Sequence, residues 1–234
     1  MLTELARRDI ETVLAGRKLT RLEEAASAVG LLDAERRVAD TSDHEALLRA
    51  FRGCDGVINC TGPFTSSGEA VVRAAIAAGC HYVDTSGEQL YIKKIFDTFA
   101  TEAQNAGVTV VPAANDGCVP VDLMAHLLAE HLGSVEEIVT THVIVGGGGM
   151  SRGSLRSLVA TIDAIKAGGV TYHEGDWRSG MPVRHTAIRL PGQPEATPVM
   201  AFPVPEVVTI PRHLRLRHVQ GLTRTAAAPS ASRT

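Results

Sequence analysis

The chain has 234 residues, 44% hydrophobic and 21% charged, with a formal charge of −3; it is long enough to bury a substantial core and has the composition of a globular protein. The near-neutral balance gives no basic footprint for nucleic acid, no run approaches the roughly 18 apolar residues that cross a bilayer, and the N-terminus lacks the order of a signal peptide. Cys54, Cys60, Cys80 and Cys118 show no CxxC or Cys/His ligand spacing, so free thiols, no metal and a cytoplasmic setting are expected.

MLTELAR reads as the second half of a helix. TVLA at 12–15, stopped by Gly16, is a short strand, and LTRLEEAASAV carries apolar residues at helical spacing. RRVAD at 36–40 is a second strand, SDHEALLRAF a helix capped at Ser42, and DGVINC a third strand ending in the loop TGPFTSSG. EAVVRAAIAAG is a helix closed by Gly79, HYVDTS a strand, YIKKIFDTFATEAQNAG a long helix and VTVVPAA another strand. Apolar strands alternating with helices predict a doubly wound α/β fold, its parallel sheet covered on both faces. Such sheets bind ligands outside the carboxyl ends of their strands, here the loops after Ala15, Asp40, Cys60, Asp84 and Ala114.

From about Val119 the pattern changes. VPVDLMAHLLAEHLG is a helix, EEIVTTHVIV a strand, GGGGMSRG a loop and SLRSLVATIDAIKAGG a helix, followed by short β-like runs including WRSGMPVRHTAIRL and VPEVVTIP. The basic stretch PRHLRLRHVQ reads as a solvated strand or helix face. The expected division is 1–133 as a partial nucleotide-binding domain, 134–222 as a smaller mixed α+β substrate region, and 223–234 as a disordered low-complexity tail. GGGGMSRG fits no G-x-G-x-x-G register, so it is read as a mobile loop that lets the helix near Ser154 approach a substrate, with Arg152 a candidate anion contact, or equally as a simple flexible connection. His126, His131 and His142 share no metal spacing and are read as satisfied surface or core histidines.

In a dinucleotide-binding unit the ribose-contacting residue ends the second strand about 20 residues after a glycine loop. The strand end at Gly16, Arg17 and Lys18 puts that loop, and the first strand before it, at or ahead of Met1. A basic residue at this strand end pairs with the 2′-phosphate of NADP, and Arg17 with Lys18 meets that condition; the alternative is a solvated helix opening. Thr61, Gly62 and Pro63 form a strand exit whose backbone and hydroxyl face a pyrophosphate or nicotinamide ribose, while Asn59 is read as a core polar residue. Tyr82, Asp84 and Glu88 cluster at the next strand end, where Tyr82 and Asp84 are the candidate proton donors after hydride transfer. Asp84 has an equal alternative as an anchor bonding the N–H groups of Ser86 and Gly87, and Asn115 and Asp116 share that ambiguity.

TVLAGRKLTRLEEAA, ADTSDHEALLRAFRGCDGVINCTGPF, GEAVVRAAIAAGCHYVDTSGE and VPAANDGCVPVDL together resemble the saccharopine dehydrogenase-like oxidoreductases, including trans-acting enoyl reductases, over roughly residues 1–133. GGGGMSRGSLRS is similar more loosely. The resemblance implies a Rossmann-type NADP domain lacking its first strand and glycine loop, followed by a substrate domain on a mixed sheet. It places Asp40 near the adenine ring, with a helix-capping or turn carboxylate as the equal alternative, and the loop Thr61, Gly62, Pro63 and Phe64 on the cofactor. The activity implied is hydride transfer to or from a C=C or C=N bond of a small-molecule substrate; a non-catalytic nucleotide-binding or scaffold protein, or an inactive truncated fragment, is the alternative. A sheet edge left open where the first strand would pair suggests a homo-oligomer.

Overall fold

The computed structural model describes residues 1–143 and 151–225. The first half alternates α1 (Leu2–Arg7), β1 (Leu14–Gly16), α2 (Leu19–Ala28), β2 (Arg36–Val38), α3 (His44–Phe51), β3 (Gly56–Asn59), α4 (Phe64–Ala77), β4 (His81–Asp84), α5 (Gln89–Ala106) and β5 (Val110–Val111). β1 pairs in parallel with β2, Leu14 opposite Arg36. β3, β4 and β5 form a second parallel set, with Gly56 opposite His81 and Tyr82 opposite Val110. Among the described residues the two sets share no ladder. The expected Rossmann-like arrangement of parallel strands between helices is present.

Local chemistry sets the helix limits. α3 opens on Asp43, whose carboxylate accepts from Ala46 N at 2.9 Å; Ser42, the cap expected from sequence, donates instead to Asp40. α5 presents Tyr91, Ile92, Ile95, Phe99 and Ala103 to the core at helical spacing and stops at Gly107, whose φ of 69° is left-handed and suits a residue without Cβ. α4 starts at Phe64, inside the segment read as a loop, because the Glu88 carboxylate accepts from Phe64 N at 2.9 Å and Thr65 N at 2.6 Å. A carboxylate there satisfies helix N–H groups that have no partner within the helix. Gly68 lets α4 and α5 close on each other, since a Cβ at that position would fall within the Tyr91 ring.

The second half contains α6 (Cys118–Leu132), β6 (Glu137–His142), α7 (Arg152–Ala160), α8 (Ile162–Lys166), β7 (Val170–His173), β8 (Asp176–Ser179), β9 (Ala187–Arg189), β10 (Ala196–Ala201), α9 (Glu206–Thr209) and β11 (His218–Arg224). These strands make a six-stranded mixed sheet. β11 is its hub, parallel to β6 and antiparallel to β7 and β10.

Four readings change here. VPEVVTIP is not a strand but α9 followed by a 3-10 turn at Ile210–Arg212, with Pro205 before its first turn, where a missing N–H costs nothing. Its β-branched residues serve two cores: Val207 packs with Val204, Ile210 and Val219, and Val208 joins the cluster of Ile92, Ile95 and Phe99. The helix expected over 154–169 breaks into α7 and α8 at Thr161, whose hydroxyl donates back to Ser157 O at 2.8 Å. PRHLRLRHVQ is not wholly solvated, because His218 and Gln220 are buried in β11. β11 also runs through Arg224, held opposite Val199 of β10, past the expected start of the tail. The rest of that tail reading, and most of the GGGGMSRG reading with its Arg152 contact, lie outside the described residues and side chains.

The two halves are tied by specific bonds. Gln89, the first residue of α5, donates from Nε2 to Val170 O and Val204 O, each at 3.1 Å, and its Oε1 accepts from Val170 N at 2.7 Å. Arg212 lies 4.1 Å over the Phe96 ring and reaches Asp97 at 3.0 Å, while Lys93 Nζ lies 5.3 Å over the Trp177 ring.

Candidate functional site

The ends of β3, β4 and β5 meet around one carboxylate. Asp84 is 0% exposed. Its Oδ2 accepts from Tyr82 Oη at 2.9 Å and Tyr91 Oη at 2.8 Å; its Oδ1 accepts from Ser86 N at 3.0 Å and Ala113 N at 2.9 Å. Asn59 Nδ2 donates to Tyr82 Oη, and its Oδ1 accepts from Thr61 N and Thr61 Oγ1. Burial and the adjacent Asp84 push both phenols far above their ordinary range, so each stays protonated. Tyr82 and Asp84, the expected proton donors, thus stand inside the protein with their polar atoms spoken for. Neither lines the cleft described below.

A different environment surrounds the ends of β1 and β2. Arg17 follows β1 with 72% of its side chain exposed, and its Nε lies 3.8 Å from Asp40 Oδ2. Lys18 is the exposed residue at the start of α2. Asp40 accepts from Ser42 N at 2.9 Å and Ser42 Oγ at 2.7 Å, and these bonds, then the Arg17 charge, hold its carboxyl below the usual range. The structure therefore brings Arg17, Lys18 and Asp40 to one exposed corner. Met1 Sδ lies 3.7 Å from Cys60 Sγ, which puts the start of α1 against the end of β3.

Between the first half and α7–α8 lies a cleft of about 640 Å³. One wall is Cys60, Gly62, Phe64 and Thr65 after β3 with Thr85 and Gly87 after β4; the other carries Ser154, Ser157, Thr161 and Ile165. At its narrow point Gly62 faces Ser157, whose Oγ is 3.3 Å from where a Cβ on Gly62 would stand. Of the expected cofactor loop, Gly62 and Phe64 line this cleft; Thr61 and Pro63 adjoin it, and Ser67 Oγ donates to the carbonyls of both.

A dinucleotide can be tested against these groups. The corner of Arg17 and Lys18 offers donors free for a phosphate on the adenosine ribose. The N-terminus of α4, the other natural anion seat, is taken by Glu88, so a pyrophosphate finds no free N–H pair there. Sequence reading placed Glu88 in a proton-donor cluster and did not foresee its capping role; Gln89, Ser157 and Thr161 were not singled out. Their partners lie in distant segments, and only the buried carboxylate next to a strand end gave a signal.

Parallel strands between helices, with a cleft at their carboxyl ends, define a Rossmann-like fold of the nucleotide-binding type. Residues 1–111 match the family described as the saccharopine dehydrogenase NADP binding domain. The chain is 32% identical over 164 residues to a lipid droplet localized protein of Caenorhabditis elegans, covering 67% of this chain and 38% of that protein. It is 32% identical over 128 residues to a trans-acting enoyl reductase of Mycobacterium ulcerans, covering 53% and 31%, and 24% identical over 155 residues to a saccharopine dehydrogenase-like oxidoreductase of Bos taurus, covering 66% and 31%. It thus spans well under half of these relatives. Its fold matches saccharopine dehydrogenase (L-Glu forming) of Saccharomyces cerevisiae with a TM-score of 0.57 at 18% identity, over 93% of this chain and 50% of the other. Among the described residues no helix is long and apolar enough to cross a membrane, no metal-ligand cluster occurs and all four cysteines are free.

Proposed function

We propose that the chain is part of an NADP-dependent oxidoreductase in which the corner of Arg17 and Lys18 holds the 2′-phosphate, Asp40 borders the adenine, and a small substrate enters the cleft between the β3–β4 loops and α7–α8. The observation carrying this reading is Arg17, exposed at the end of β1 and lightly tethered by Asp40. Bound there, NADPH supplies the hydride. The protein's own residues position the reactants and shut out water: Gly62 and Phe64 border the substrate on one side, and Ser157 and Thr161 offer hydroxyls on the other. The names of the relatives, an enoyl reductase and a saccharopine dehydrogenase-like oxidoreductase, support a C=C or C=N acceptor.

In this reading Tyr82 and Asp84 are positioning residues. Their network fixes the Thr61 turn through Asn59 and the Ser86 turn through Asp84, and so sets the cleft wall. The lane between β1 and β3 takes a further parallel strand and its glycine turn; in support, each of the two strands has a ladder partner on one side only among the described residues, and Ile58 is 42% exposed in a strand of a sheet type that is ordinarily buried. Residues 1–133 and 134–222 are the corresponding functional regions. Four free cysteines support the cytoplasm as the compartment. Exposed Leu123, Met124, Leu127, Leu128 and Leu132 on α6 support self-association through that helix.

Fluorescence titration with NADPH and NADH tests the reading. NADPH is expected to bind more tightly. Binding of neither nucleotide would favour the non-catalytic scaffold, for which the capped N-terminus of α4 is the supporting observation.

A further inference from the structure

Glu206 is 0% exposed, and an isolated carboxylate at that depth is expensive to keep charged. Its Oε1 lies 2.6 Å from His142 Nε2, while Oε2 has no hydrogen-bond partner among the described residues. A buried acid bonded to one ring nitrogen fixes the imidazole's orientation and tautomer and leaves the other nitrogen for a ligand. His142 ends β6, is 30% exposed, and turns its other edge to Gly117: Cε1 and Nδ1 lie 3.4 and 4.0 Å from the place a Cβ would occupy there. Asn115 Oδ1 is 3.3 Å from the same place, so the absence of a side chain at Gly117 lets the imidazole and the amide come close to the turn.

The turn carrying that contact adjoins one wall of the cleft from behind, through Ser86. The Asn115–Gly117 turn follows β5 at the carboxyl edge, and Asn115 Nδ2 donates at 2.8 Å to Ser86 O, between cleft-lining Thr85 and Gly87. His142 comes to the turn from the end of β6 in the mixed sheet. We propose that His142, oriented by Glu206, is the proton-donating residue of the site, acting on a carbonyl oxygen or imine nitrogen placed against the Asn115–Gly117 turn. This rests on the oxidoreductase reading above. The substrate's reducible system gains hydride on carbon and the His142 proton on the heteroatom; the imidazole is left neutral and regains a proton from water, while the nucleotide is oxidised.

The electrostatics agree. The Glu206 bond raises the His142 pKa above its ordinary value against the opposing effect of burial, and so favours the charged, proton-donating form. Around the ring, α9 brings Glu206, β11 brings the uncharged Thr223, whose hydroxyl donates to His142 O, and the turn itself carries Asp116. α6 brings the Cys118 thiol, which burial pushes up to about 12, and Asp122, already bonded to Thr209 and His213.

The test uses the whole chain, its Glu206→Gln and His142→Gln variants, NADPH, and an enoyl thioester and a cyclic imine as acceptors. Ring NMR assigned with His142→Gln is expected to show His142 titrating above an ordinary histidine, and lower in Glu206→Gln. In the rate profile His142→Gln is expected to lose the basic limb and on the order of 10²-fold in kcat, with KM and NADPH affinity held within about twofold; Glu206→Gln shifts that limb to lower pH. Thermal melts establish that both variants are folded. A basic limb retained by His142→Gln, or a ring that titrates ordinarily and ignores Glu206→Gln, overturns the inference alone. Failure of the wild-type chain to bind NADPH overturns the oxidoreductase reading and this proton donor with it.

Discussion

The end of β4 and the end of β1 are both carboxyl ends of parallel strands and are built in opposite ways. Around Asp84 every polar group is consumed by the protein: two tyrosines and two backbone N–H groups converge on one buried carboxylate. At the end of β1, Arg17 has most of its surface in water and only a distant carboxylate for company. Buried polar groups are costly unless paired, so a closed network marks scaffolding, whereas an exposed guanidinium with spare donors remains available to a ligand. The lesson is that carboxylates and phenols at a strand end are not chemical groups merely by position.

The contrast can be broken most severely at Asp84. Asp84→Ala strips the acceptor from four donors and should cost about 3 kcal/mol or more in urea unfolding; a variant of near wild-type stability would show the network to be ornamental. Gly68→Ala puts a methyl group into the Tyr91 ring and should cost about 2–3 kcal/mol, since the aromatic ring cannot step aside without leaving Asp84. A smaller loss, about 1–2 kcal/mol, is expected for Gln89→Ala, which deletes three bonds between the halves. Its sharper readout is cooperativity: hydrogen exchange in β7 should become separable from exchange in β4.

The mildest perturbation is pH. His142 is raised by Glu206, so the pair's contribution to stability is present in full below the unfolded value of about 6.5 and is lost as pH rises through the higher folded value. Melting temperatures from pH 5 to 9 should show this slope, and Glu206→Gln should flatten it. A slope that survives the substitution would assign it to another group.

Much of this architecture was legible in residue order. The alternation from TVLA to VTVVPAA gave the parallel strands and their helices, and the strand ends it marked include Arg17, Asp40, Gly62 and Asp84, all now at the carboxyl edge. What sequence hid were contacts across long separations. Glu88 begins α4 from 24 residues away, and Gln89 reaches Val204 across 115 residues; neither leaves a local pattern. VPEVVTIP misled for a related reason. Its β-branched run packs Val207 and Val208 into different cores, so burial on two sides overrode strand propensity. His142 looked ordinary because its partner, Glu206, lies 64 residues on, inside the misread segment.

The claim that an exposed guanidinium corner, and not the buried tyrosine–aspartate cluster, meets the cofactor is tested most directly by comparing NADPH and NADH binding in wild type and Arg17→Asp. The account predicts that the substitution weakens NADPH at least tenfold, about 1.4 kcal/mol, while NADH affinity and unfolding free energy stay near wild type. Equal weakening of the two nucleotides, or no change in either, would contradict it.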